Sequence, residues 1–135
     1  MKLVLDTNVI VAAFAARGLC HELFEICISQ HQIVCSEYIL DECRAAFHKK
    51  IKVDEKTSQT ILEFVKTHSE LVEPMNIPHN ACSDTKDLPI IGTAVAGNGK
   101  LIVTGDLGLL TAKTYQSIKI ISPRAFWEIL RAERT

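Results

Sequence analysis

Apolar residues along the chain fall into two kinds of run. Four short ones, "KLVL", "QIVC", "KLIVT" and "IKII", are rich in Val, Leu and Ile and mostly continuous rather than alternating. That pattern predicts strands covered by helices on both faces, since a strand with one wet face alternates. Between them, apolar residues recur at helical spacing. Leu19, Leu23, Phe24, Cys27 and Ile28 make one stripe, Ile39, Leu40, Cys43, Ala46 and Phe47 a second, and Ile61, Leu62, Phe64 and Val65 a third. Ile90, Ile91, Ala94 and Val95 make a fourth, which "GNG" ends as a helix stop and turn. Ser122 followed by Pro123 is an N-cap and first-turn pair for a last helix over "RAFWEILRA". A further short strand is marked only by Leu71 and Val72 ahead of Pro74, and Glu73 to Thr85 has no period and reads as a loop.

Strands alternating with helices predict the α/β class. The expectation is a single doubly wound domain over residues 1–135, with a central parallel sheet of four to five strands between layers of helices. A chain 47% apolar and 23% charged is ordinary for a globular protein. The net charge of -1 argues against a strongly electrostatic nucleic-acid or membrane-surface binder, but leaves room for a basic patch over an acidic site. Asp6 breaks the first apolar run too early for a signal peptide, and no run approaches the roughly 20 apolar residues of a membrane span. A cytoplasmic protein with no membrane association is expected. The five cysteines form no C-x-x-C pair and the five histidines no H-E-x-x-H, so zinc spacing is absent and reduced, mostly buried thiols are expected.

In open α/β sheets the site lies beyond the carboxyl ends of the strands. Asp6 closes "KLVLD" and Asp106 follows "LIVTG", so both fall there by spacing alone. Each also has a local explanation, Asp6 as a helix N-cap and Asp106 as a turn residue between Gly105 and Gly108. On the helix after "CSEYI", Glu42 sits about 40° beyond the edge of the apolar stripe. Asp87 falls inside the stripe of "DLPIIGTAVAG", between Ile90 and Ile91 in angle, where an unpaired charge is rare, although Pro89 also makes a cap plausible there. Four carboxylates gathered in one cleft repel one another unless a cation neutralises them. An all-oxygen set suits Mg²⁺ or Mn²⁺, ions that clamp phosphate oxygens and activate water for in-line attack on a phosphodiester.

"LDTNVIV", "SEYILDE", "DTKDLPIIGTAVAG" and "LIVTGD", in that order, resemble the successive motifs of PIN domains. The likeness runs from Lys2 to "ISPRAFWEIL" and is nearest to small bacterial and archaeal PIN proteins of toxin–antitoxin systems, in the character of VapC toxins. It implies a PIN-like, Rossmann-like three-layer sandwich and a metal-dependent endoribonuclease, held inactive by a cognate antitoxin protein and usually a homodimer. Asp6, Glu42, Asp87 and Asp106 match the family's acidic quartet. By that likeness Asp6, Asp87 and Asp106 hold Mg²⁺ or Mn²⁺, and Glu42 orients a metal-bound water. Asn8, Ser36 and Thr104 match supporting polar positions, each with a local cap or turn role as its alternative. Many relatives carry an acid where this chain has Gly108, another where it has Leu88, and an Arg where it has Ser83. A second metal is therefore expected to bind poorly.

RNA needs cations near the acids, and "HKKIK", with Lys49, Lys50 and Lys52, is the densest basic stretch; a solvated helix end explains it equally. Arg17, Arg44, Lys86 and Lys113 are alternatives, and few aromatics are evident for base stacking. Gly105 is expected to let the turn pass close to the cleft. Two other functions stand beside the nuclease. One is a PIN-fold nucleic-acid-binding or regulatory module with weakened catalysis, suggested by Gly108 and Leu88. The other is a phosphatase or receiver-type domain, which wants D-x-D after the first strand where this chain has Asp6-Thr7-Asn8.

Overall fold

The structure, a computed structural model, describes residues 1–133; Arg134 and Thr135 of the expected domain lie outside the described residues. The first apolar run forms β1 (Lys2–Leu5), parallel to β2 (Gln32–Cys35) on one side and β4 (Leu101–Val103) on the other. β3 (Ser69–Leu71) lies beyond β2 and β6 (Ile118–Ile121) beyond β4, both parallel. β5 (Thr114–Tyr115) adds an antiparallel edge to β6, giving the order β3-β2-β1-β4-β6-β5. The sheet thus has six strands and is mixed, against an expectation of four to five and all parallel. The stretch before Pro74 is a strand after all. β5 has no apolar run to announce it. It forms because Lys113 (φ 64) and Gln116 (φ 54) take left-handed backbone that folds the chain onto β6, without the Gly or Asn that usually marks such turns.

Among the described residues seven α-helices cover this sheet: α1 (Thr7–Ala15), α2 (Leu19–Gln30), α3 (Glu37–Ala46), α4 (Glu55–Thr67), α5 (Leu88–Ala96), α6 (Leu107–Ala112) and α7 (Pro123–Glu133). The chain steps from β1 to β2 to β3 in one direction, then to β4 and β6 in the other. Right-handed crossovers therefore place α1–α4 on one face and α5 and α6 on the opposite face. α5 packs on β1, β2 and β4, α6 on β6, and α7 returns to α2. Covered on both sides, the central strands bury Leu3, Val4, Leu5, Ile33, Val34, Ile102 and Val103 completely or nearly so. Each such Leu, Ile or Val contributes roughly 1.5–3 kcal/mol by leaving water. The third apolar stripe is narrower than its sequence pattern: Leu62 and Val65 are buried, but Phe64 is 40% exposed, edge-on to Phe14 and tilted against Phe24. Among the described residues no helix is long and apolar enough to cross a membrane.

Helix ends follow local chemistry. Ser122 Oγ accepts from Ala125 N–H at 3.1 Å and caps α7, as its place before Pro123 predicts. Asp54, which no apolar pattern flags, caps α4 through Thr57 N–H at 2.8 Å. After α3 the chain loosens into a π-helical turn, Phe47–Ile51, that buries Phe47 and ends on left-handed Lys52 (φ 55). In "GNG" the left-handed residue is Asn98 (φ 58), and Gly97 serves a different need. A Cβ on Gly97 would collide with both methyls of buried Val34. Val34 is short and stiff at χ1, so it cannot move aside. Gly97→Ala is expected to destabilise the protein by about 2 kcal/mol through overpacking, read as a lower urea midpoint at unchanged slope.

Candidate active site

The order of the sheet reverses at β1, whose neighbours lead the chain to opposite edges, and the crevice above such a reversal is where α/β sheets gather functional groups. Register pairs Leu5 with Val103, so the residues after β1 and β4 emerge side by side. Asp6 N–H donates to Val103 carbonyl and Thr104 N–H to Ile121 carbonyl, both at 2.9 Å, which pins the two backbones at the mouth. Asp6 is 6% exposed. Its Oδ1 accepts from Thr7 N–H at 2.7 Å and its Oδ2 from the Thr104 hydroxyl at 2.6 Å. Thr104, fully buried, accepts in turn from Asp106 N–H at 3.0 Å. One hydroxyl thereby ties the first strand-end acid to the second. Asp106 Oδ2 accepts from Leu109 N–H at 3.3 Å and caps α6. The cap role of Asp6 is as expected, whereas Asp106, expected as a turn residue, caps a short helix, and both acids still face the crevice.

Glu42 arrives from α3 and accepts from the Thr7 hydroxyl at 2.9 Å through Oε1, a bond spanning 35 residues. Asp87 is the last residue of a 3-10 turn, Thr85–Asp87, rather than part of the first turn of α5. It holds the N-cap position of α5 without capping it, and its buried Oδ2 has no hydrogen-bond partner. The capping alternative for Asp87 therefore fails on geometry. Burial raises its pKa, and so do the Asp106 carboxylate that shares a proton with it and the charges of Asp106, Asp6 and Asp84, to about 7 from 3.8. Asp6 is also raised, chiefly by burial; the bonds from Thr104 and Thr7 pull it back, and repulsion from Glu42 and Asp106 adds to the rise. Asp6 thus feels both Glu42 and Asp106, and Asp87 feels both Asp106 and Asp6, which links four carboxylates far apart in sequence.

The supporting positions divide. Thr104 touches Asp6 and Asp106. Asn8 is exposed and its Oδ1 accepts from Gly105 N–H at a long 3.4 Å, tying the loop after β4 to α1. Ser36 does not reach the acids. Fully buried at the start of α3, it makes no capping bond and shares a 2.9 Å bond with Thr93, which donates to Pro89 carbonyl at 2.7 Å. That strut joins the start of the Glu42 helix to α5, just behind Asp87. Lys49, Lys50 and Lys52 are exposed on the turn after α3 and pair with none of the four acids. Gly105 is no steric necessity: a Cβ there would meet only Asn8 Nδ2, at an ordinary 3.9 Å. Gly108 is the tighter position, where a Cβ would lie 3.3 Å from Ser83 Oγ and 3.6 Å from Asp106 Oδ2.

Sequence reasoning missed Thr7, Tyr38, Asp84 and Thr93. Tyr38 precedes Glu42 by four residues, a helical spacing that puts them on one face and is a usable signal. Nothing local distinguishes Thr7 or Thr93. Among the described residues no group of three or more His, Cys, Asp or Glu side chains is arranged to hold a metal ion outright. The donors nonetheless suit a hard divalent cation. They are all oxygen, Asp87 Oδ2 is buried without a partner, and the shared proton between Asp87 and Asp106 marks where a positive charge is wanted.

A family model described as PIN domain matches residues 2–108. No curated protein matches the chain. Among solved structures, the fold resembles a chain in the crystal structure of VapBC2 from Rickettsia felis bound to a DNA fragment from their promoter, at TM-score 0.63 and 17% identity over 90% of this chain and 98% of that one. It also resembles a chain of VapBC-1 from nontypeable Haemophilus influenzae, at TM-score 0.62 and 15% identity over 92% and 99% respectively.

Proposed function

The chain belongs to the PIN domain family, and from that premise we propose that it is a metal-dependent endoribonuclease, the toxin of a toxin–antitoxin pair. The observation that carries this is the convergence of Asp6, Glu42, Asp87 and Asp106 at the switch point, with Thr104 bridging two of them. Asp6, Asp87 and Asp106 would hold Mg²⁺ or Mn²⁺, which when bound neutralises phosphate charge and makes water a better nucleophile. Thr104 holds Asp6 in a single rotamer, so its carboxylate is preorganised and not free to rotate. Thr7 aims Glu42 at the crevice, where the carboxylate can orient the attacking water and accept its proton. The exposed Lys49, Lys50 and Lys52 supply phosphate contacts for RNA. A cognate antitoxin and a homodimer complete the proposal; likeness of fold to chains of VapBC2 and VapBC-1 supports the first.

The test is cleavage of RNA in Mn²⁺ by wild type, Asp6→Asn and Asp106→Asn. Cleavage lost in both variants supports the nuclease. Activity unchanged in either sinks the site assignment. A second function, a PIN-fold binding or regulatory module with weakened catalysis, draws on Gly108 and Leu88, since position 108 lies against Asp106 and carries no acid. Wild type that binds RNA and cleaves none would favour it. We further expect one Mn²⁺ per chain by isothermal titration. Gly108→Asp is expected to add a second, weaker site, since the exposed Ser83 side chain can turn aside by the few tenths of an ångström required. Two tight ions in wild type would contradict this.

A further inference from the structure

The 3-10 turn that carries Asp87 is fastened mostly to itself. Asp87 N–H donates to Asp84 carbonyl and Lys86 N–H to Asp84 Oδ1, both at 3.0 Å; Cys82 Sγ donates to Asp84 carbonyl at 3.2 Å, and Leu88 N–H to Thr85 carbonyl. Among the described residues, one hydrogen bond joins the backbone of this turn to a distant part of the protein. It is the bond from the Tyr38 hydroxyl to Lys86 carbonyl, 2.9 Å long and spanning 48 residues. Tyr38 stands on α3 one helical turn before Glu42, so the same helix face that presents Glu42 to the crevice also reaches the Asp87 turn. Meanwhile Asp6, Asp84 and Asp106 all repel Asp87. Beyond its continuity with α5 and the Asp87 side chain in the crevice, the turn is joined to the rest of the fold by that one backbone bond, which ties it to α3.

We propose that Tyr38 is a positioning residue, a latch that holds the Asp87 turn against the acidic crevice and so sets the metal affinity of the site. It rests on the metal-dependent reading above and adds a residue to it. The phenol is a neutral donor: burial first, then the Glu42 charge and a hydrogen bond with Glu42, then the Asp87 and Asp84 carboxylates push it up to about 12, and its one proton has Lys86 carbonyl, at 2.9 Å, and Glu42 as acceptors. Tyr38→Phe removes the hydroxyl and keeps the ring, so packing of α3 is conserved.

Two measurements test the latch. In metal-free protein, hydrogen exchange at the Asp87 and Leu88 amides is expected to quicken about tenfold in Tyr38→Phe, while the Asp6 amide bonded to Val103 keeps its protection. Unchanged exchange at both turn amides overturns the proposal, whatever the metal does. Mn²⁺ titration then reads the coupling: Tyr38→Phe is expected to weaken binding about tenfold in wild type and less than about twofold in an Asp87→Asn background. Equal weakening in both backgrounds overturns the latch, because the phenol then acts through Glu42 or general packing. Wild type that binds no Mn²⁺ sinks the metal-dependent reading instead, and the latch is then decided by exchange alone.

Discussion

Asp6→Asn is expected to lower Mn²⁺-dependent RNA cleavage by on the order of 10³-fold, the scale at which removing one preorganised electrostatic group is felt. Asparagine keeps the volume of aspartate, so the loss cannot be assigned to a cavity. Thr7 N–H needs an acceptor, which forces the amide oxygen to that side and turns the NH₂ toward Thr104. The Thr104 hydroxyl then loses the acceptor it now has at 2.6 Å, and its link from Asp106 N–H to the first acid is broken. Charge and alignment disappear together. The control is Asp41→Asn, the same change on the exposed acid next to Glu42, which is expected to leave the rate within about twofold. Single-turnover cleavage of a labelled RNA checks both. A rate for Asp6→Asn within tenfold of wild type would place the chemistry elsewhere.

Asp87→Asn should have the opposite sign for the fold. Because the folded protein holds the Asp87 proton up to about 7 while the free residue releases it near 3.8, the folded state binds this proton more tightly. Its stabilising contribution is complete below about 3.8 and is lost as pH rises through about 7. In the absence of divalent metal, wild type therefore loses stability from this group across that window, and Asn, which carries no charge to ionise, does not. The melting temperature of Asp87→Asn in EDTA is expected to pull ahead of wild type between pH 4 and pH 7, by on the order of 5 °C at the upper end. Adding Mn²⁺ should close the gap by stabilising only wild type. Melting curves at a series of pH values with and without Mn²⁺ decide it; a difference that does not grow with pH would mean that Asp87 is not held protonated by its neighbours.

The opposed effects of Asp6→Asn on chemistry and Asp87→Asn on stability share one cause. Carboxylates held together in a half-buried crevice oppose folding, and this cost is relieved when a cation binds. The six-residue helix α6, which Asp106 caps, and the self-bonded turn before α5, which Asp87 ends, are where that repulsion bears on the chain. Tyr38 and Thr104 restrain it there, by hydrogen bonds reaching across the fold.

Much of this was legible beforehand, for reasons that differ from residue to residue. Asp6 and Asp106 were visible because a strand's end is marked by its own apolar run, and the rule that sites lie beyond carboxyl ends needs nothing else. Glu42 was visible by its angle on a helix. Asp87 was visible as a misplaced charge, but its setting was misjudged: it ends a 3-10 turn and is half-buried, not on the apolar face of α5. Ser36, expected to support the first carboxylate or the backbone beside it, instead bonds Thr93, because the pairing of β2 with β1 brings α5 over its start. β5 was missed because left-handed Lys113 and Gln116 are unusual residues for a turn.

By itself the sequence determined the parallel strands and the longer helices, their alternation and hence the doubly wound class, and the acids at strand and helix ends, but not β5 or the short α6. All of these depend on period and on neighbours within a few positions. Only the tertiary structure decided which oxygen each acid offers, that Thr104 reaches Asp6 98 positions away, that Tyr38 reaches the Asp87 turn, and that Ser83 stands against Gly108. A hydrogen bond needs its partners aligned within a few tenths of an ångström, and for residues so distant along the chain that alignment exists only once strand order and helix packing have been set.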